Sequence, residues 1–126
     1  MKLQPDKSSA PLVRAHHPDW LQIDDQRFDG SVILSSMPEL PPQPWAPCHF
    51  DALSDAHLRE LAHSGAELVI LGTGRRMRFP PAAWLAPFAE RRVGLESMDT
   101  AAACRTYNIL ASEGRKVLAA LLLEQN

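Results

Sequence analysis

Leu68-Val69-Ile70-Leu71 is an unbroken apolar run that stops at Gly72-Thr73-Gly74. It is too short for a buried helix, and its β-branched centre favours a strand covered on both faces. A strand of that kind demands a layer of structure above it and another below. The flanking sequence supplies them. Ser54 is a good N-cap for a helix over Asp55–His63, with Leu58, Leu61 and Ala62 on one face and Gly65 as its stop. Pro80-Pro81 opens a second helical stretch with Trp84, Leu85 and Phe88 inward, kept short or kinked by Pro87. Val93–Glu96 reads as another short strand. A third helix starts at Asp99 or Thr100, runs to about Ser112 and stops at Gly114, with Ala103, Tyr107, Leu110 and Ala111 as its apolar stripe. Strand–helix alternation from 54 to 113 predicts an α/β fold with parallel strands and right-handed crossovers.

The rest of the chain is less regular. Residues 1–18 are rich in Ser, Pro and His and read as a loose tail, leaving 19–126 as a single domain. Leu21 and Ile23 alternate with polar residues, Phe28 follows a turn, and Val32-Ile33 lies beyond Asp29-Gly30. This predicts two or three short antiparallel strands. The segment 38–47 carries five prolines around Trp45 and reads as an extended loop that the indole pins to the core. Lys116–Leu123 fits strand or helix by periodicity, and its Ala, Leu and Glu content favours helix.

With 126 residues, 45% apolar and 22% charged, the chain is long enough for one real core. Collagenous, disordered and disulfide-framed classes are excluded, and no stretch approaches the roughly 20 apolar residues of a membrane span. Net charge is −2 but uneven: residues 1–71 hold five Lys/Arg against ten Asp/Glu, and residues 72–126 hold eight against five. The basic half suits an anionic ligand or an acidic protein surface. Nucleic acid is disfavoured, because a high pI and aromatics spaced among the basic residues are both missing. Cys48 and Cys104 read as free thiols in a reducing compartment. The first residues show neither a signal nor a transit pattern, so a cytoplasmic location is expected.

One stretch is far more specific. Met98-Asp99-Thr100-Ala101-Ala102-Ala103-Cys104-Arg105-Thr106-Tyr107-Asn108, taken with Gly72-Thr73-Gly74, the Phe28-Asp29-Gly30-Ser31 turn and the Trp45 loop, resembles the small bacterial proteins grouped with mitochondrial complex I assembly factor 3. The resemblance spans about residues 19–123. It implies a three-layer α/β domain with a mixed central sheet and helices on both sides. It also implies a role in building a complex, and it brings no catalytic residues with it. For 116–123 it allows either a further helix or a last strand.

The best-defined candidate site lies where the two central strands end. Gly72, Thr73, Gly74, Arg75 and Arg76 leave one strand; Glu96, Asp99 and Thr100 leave the other, with Arg105 one turn into the following helix. In open α/β sheets this edge is where ligands bind. Backbone N–H groups around the glycines, the two arginines and a helix N-terminus would favour an anion there. The alternative reading makes the glycines a tight strand exit, Asp99 a helix cap and Arg105 a structural ion-pair partner of Glu96 or Asp99. A triplet Gly-Thr-Gly lacks the spacing of a phosphate loop or dinucleotide fingerprint.

Other chemistry is thin. Cys104 lies just over one turn into its helix, where the dipole lowers a thiol pKa, but only His49 is placed to act as its base. A buried structural thiol is the better reading. His57 and His63 point about 120° apart on a helix and cannot share a metal, and His16-His17 lies in the tail. No nucleophile elbow is present. Trp20, Trp45 and Trp84 are either partner anchors or core closures. The expectation is therefore a non-catalytic interaction protein without cofactor or metal, acting on another protein through residues 72–76 and 96–105. A small-molecule or anion-binding domain, with enzymatic use of Glu96 or Asp99, is the alternative.

Overall fold

The computed structural model describes residues 9–124. Its central feature is a five-stranded mixed sheet. In chain order the strands are β1 (Val13–His17), β2 (Trp20–Ile23), β3 (Gln26–Phe28), β4 (Val32–Ser35), β5 (Gln43–Pro44), β6 (Leu68–Gly72), β7 (Gly94–Met98) and β8 (Val117–Leu121). The helices are α1 (Asp55–Ala62), α2 (Ala86–Arg91) and α3 (Thr100–Ser112). The large sheet runs β5-β4-β8-β6-β7, and β1-β2-β3 form a separate antiparallel sheet.

The apolar run at 68–71 is the strand its composition demands. β6 pairs in parallel with β7 on one side and β8 on the other, and Val69, Ile70 and Leu71 are fully buried. Alternate residues feed two cores. Ile70 joins Val32, Leu34, Val117, Ala119 and Leu121 against α3 and the small sheet. Val69 and Leu71 join Leu118, Ala120, Leu58, Leu61 and Phe88 under α1 and α2. Helices thus cover both faces of a mixed sheet.

Two expectations are corrected. Lys116–Leu123, favoured as helix, contains strand β8, because the segment sits between β4 and β6 with every residue from Val117 to Leu121 buried. Sheet pairing and burial on both faces outweigh a few tenths of a kcal/mol per residue of helix propensity. The presumed tail 1–18 contains strand β1; residues 1–8 of that tail lie outside the described residues, as do 125–126 of the domain. β1 is held from far along the chain. The Asn108 side chain accepts the Val13 N–H at 2.9 Å and donates to the Val13 carbonyl at 2.8 Å, while the Tyr107 hydroxyl donates to the Pro11 carbonyl at 2.8 Å.

Local signals fare better. Asp24, at φ 51°, turns β2 into β3, and Val32–Ser35 leaves that hairpin to enter the large sheet. The proline loop stays extended; its Gln43–Pro44 pairs with β4, and the Trp45 N–H donates to the Ser31 carbonyl at 2.8 Å. Pro87 is tolerated because a short 3-10 turn over Ala82–Leu85 comes first, placing the proline in the first turn of α2.

Candidate functional site at the strand exits

Three parallel strands end side by side. Gly72 of β6 is level with Met98 of β7 and Leu121 of β8, so residues 72–74, 98–100 and 122–124 emerge together. Thr100 ties them. Its hydroxyl donates to the Leu122 carbonyl at 2.7 Å and accepts the Gly74 N–H at 2.9 Å, while its own N–H donates to the Gly74 carbonyl at 2.9 Å. Gly72 is closely packed: a Cβ there would lie 3.1 Å from that hydroxyl and 3.1 Å from Ala103 Cβ, so a neighbour would have to give way by a few tenths of an ångström. Gly74 is required by conformation, with φ +104°, and by the Glu124 side chain lying across it, whose Cγ would stand 2.7 Å from an added Cβ.

A depression of about 200 Å³ opens here, bordered by Gly74, Arg75, Asp99, Thr100, His16 and Glu124. Four of the residues singled out from the sequence therefore meet, namely Gly74, Arg75, Asp99 and Thr100. The others do not line it. Gly72 and Thr73 are buried beneath, Arg76 sits further along the loop, Glu96 is exposed on edge strand β7, and Arg105 faces solvent beside a second depression with Arg14 and Asn108. Among the described residues Arg105 forms no ion pair with Glu96 or Asp99. Asp99 caps α3, its carboxylate accepting the Ala102 N–H at 2.9 Å.

The donors that would cradle an anion are already engaged. The Thr73 N–H goes to the Met98 carbonyl, the Gly74 N–H to Thr100, and the Arg75 N–H to the Glu124 carboxylate at 3.1 Å. Glu124 thus stands where a bound anion's oxygen would stand. Sequence reading missed it because nothing local links residue 124 to residue 75. His16 is held below its ordinary pKa by burial first, then by His17 and Arg105, with Asp99 opposing, so it faces the depression as a neutral imidazole at pH 7.

The remaining candidates are structural. Burial pushes the Cys104 thiol up to about 12, outweighing the lowering influence of Arg105. An alkylating reagent at neutral pH should therefore label the exposed Cys48 and reach Cys104 only on unfolding; mass-mapped labelling of native protein checks this. His57 holds the start of α1, its Nδ1 accepting the Ser54 N–H at 3.0 Å. Among the described residues no cluster of His, Cys, Asp and Glu forms a metal site, and no helix is long and apolar enough to cross a membrane. Trp20 stacks with the His17 ring and has the Arg27 guanidinium over its ring, while Trp45 and Trp84 pack half-buried against the second core.

What is exposed instead is the loop after the strand exit. Met77 is 55% and Phe79 69% exposed, yet their backbone is fixed. The buried Thr73 hydroxyl lies 2.6 Å from the Arg76 carbonyl and accepts the Arg78 N–H at 3.2 Å. The Arg78 guanidinium bonds Asp51 at 2.9 Å and stacks over Phe50 at 4.3 Å. The signal was present in the sequence: two apolar residues among arginines, in a segment with neither helical nor strand period.

By build, this is an α/β domain of the type seen in a Bordetella pertussis protein described as a Mth938-like domain. The two superpose with a TM-score of 0.80 at 30% identity, covering 100% of this chain and 94% of the other. The chain belongs to the family described as "Protein of unknown function (DUF498/DUF598)", whose pattern matches residues 13–122. Its relatives include a Francisella tularensis "13 kDa major membrane protein", 25% identical over 93% of this chain and 95% of the relative. A zebrafish "NADH dehydrogenase [ubiquinone] 1 alpha subcomplex assembly factor 3" is 29% identical over 95% of this chain and 68% of the relative.

Proposed function

We propose that this chain is a non-catalytic binding protein of the assembly type, which engages another protein at the strand-exit edge. The observation that carries this reading is the loop at 75–79, where Met77 and Phe79 stand in solvent on a backbone held by Thr73. Apolar side chains shown from an ordered loop, beside Arg75 and Arg76, form an anchor of the kind partner surfaces use. The assembly-factor name of the zebrafish relative supports the same reading. Glu124 supports it from the other side, because the small-anion alternative needs that carboxylate to leave before a ligand enters.

The test is capture from cells at native expression, with wild type and a Phe79→Ser variant compared by quantitative mass spectrometry after gentle detergent extraction. A stoichiometric protein partner that falls about tenfold with the variant, equivalent to roughly 1.4 kcal/mol, is the expected result. Wild type recovered alone, or a partner indifferent to the substitution, overturns it. In the former case a melting shift with phosphate or small carboxylates would move the assignment to the depression beside Glu124.

A further inference from the structure

We propose that the segment received by this loop is an acidic stretch of a protein partner carrying at least one apolar side chain. The proposal rests on the reading above and adds the chemistry of the partner. Between Gly72 and Ala89 the chain holds three arginines and no acidic residue. Asp51 neutralises one of them, Arg78, and Phe50 draws it back onto the body of the domain. Among the described residues Arg75 and Arg76 lie within ion-pair distance of no carboxylate. Glu124, which borders the same depression, is engaged by the Arg75 backbone N–H rather than by its guanidinium.

The loop therefore presents two uncompensated guanidiniums, at Arg75 and Arg76, followed by two exposed apolar side chains, Met77 and Phe79. A complementary surface supplies carboxylates for the first and a pocket or ridge for the second. Arginine also suits this task better than lysine, since its fork meets a carboxylate with two parallel hydrogen bonds. The loop is ordered in advance by Thr73, Gly74 and Pro80-Pro81, so little flexibility is lost on docking. An anionic bilayer shares part of this chemistry. Polybasic membrane-binding segments, however, use clusters of about four to eight Lys/Arg, and this loop frees only two.

The test places a photoreactive benzoylphenylalanine at Phe79 in the full chain, irradiates it in its own cells and sequences the crosslinked peptide. The expected peptide has more Asp and Glu than Lys and Arg, with an apolar residue beside them. Its yield should fall about tenfold with the double substitution Arg75→Glu and Arg76→Glu. It should fall similarly when extracts are irradiated at 1 M salt, where the screening length is about 3 Å. Both arginines are exposed, and a melting curve confirms that the variant is folded.

A crosslinked segment that is neutral or basic, or a yield indifferent to charge reversal and salt, overturns the acidic partner while leaving protein binding in place. Phe79-dependent sedimentation of the chain with phosphatidylserine vesicles, without a protein crosslink, overturns it in favour of a membrane surface. The absence of both a crosslink and a captured partner overturns the binding reading itself.

Discussion

Tyr107→Ala should lower stability by about 3–5 kcal/mol, the range for removing a buried aromatic ring. Tyr107 is fully buried in the core between α3, the large sheet and the small sheet, and its hydroxyl reaches across to the Pro11 carbonyl. Burial also raises its pKa above the ordinary tyrosine value, so the ring is locked in as a neutral phenol. Denaturant unfolding should show an earlier midpoint with little change in slope. Tyr107→Phe separates the two roles. It keeps the ring and loses one hydrogen bond, for an expected cost of about 1 kcal/mol. A Phe variant as damaged as the Ala variant would mean that the tie to Pro11, and not the ring, holds the small sheet in place.

The second large effect is expected at Thr100. Its hydroxyl is the only described partner of the Gly74 N–H, and the Leu122 carbonyl receives its proton. Thr100→Val keeps the shape and leaves both groups without that hydroxyl in a buried setting. At about 1–3 kcal/mol for each of the two unmet groups, the loss should be roughly 2–6 kcal/mol, with much faster amide exchange at Gly74. Thr100→Ser restores the hydroxyl and should recover most of the stability. If the Val variant is as stable as wild type, the hydroxyl bridge contributes nothing measurable.

The parts of this fold visible in the sequence are those decided within a few residues. The apolar run ending at Gly72, the cap at Asp99, the stop at Gly114 and the proline loop each carry a local reason for their conformation, and each sits where that reason puts it. The parts that were hidden depend on distant partners. β8 has helix-favouring residues and becomes a strand because β4 and β6 flank it. β1 looks like tail and becomes a strand because Asn108, 95 positions away, satisfies Val13 at both backbone groups.

The candidate site divides the same way. That the strand exits meet followed from strand direction alone. That Arg105 turns outward on α3, and that Glu124 fills the cradle by Arg75, depended on side-chain geometry and on a strand not recognised as one. Met77 and Phe79 went unweighted because they belong to no periodic element, which is itself the feature that leaves them in solvent.

The placement of β8 also bears on how the chain is made. The strand that occupies the middle of the large sheet is the last of the eight to leave the ribosome. Until residues 117–121 emerge, β4 and β6 have no neighbour on their inner edges, and the apolar faces of α1 and α3 have only half a floor to rest on. Folding must then wait for β8 before it closes its longest-range strand pairings, and a nascent chain stalled before Val117 would expose two open strand edges to whatever lies nearby.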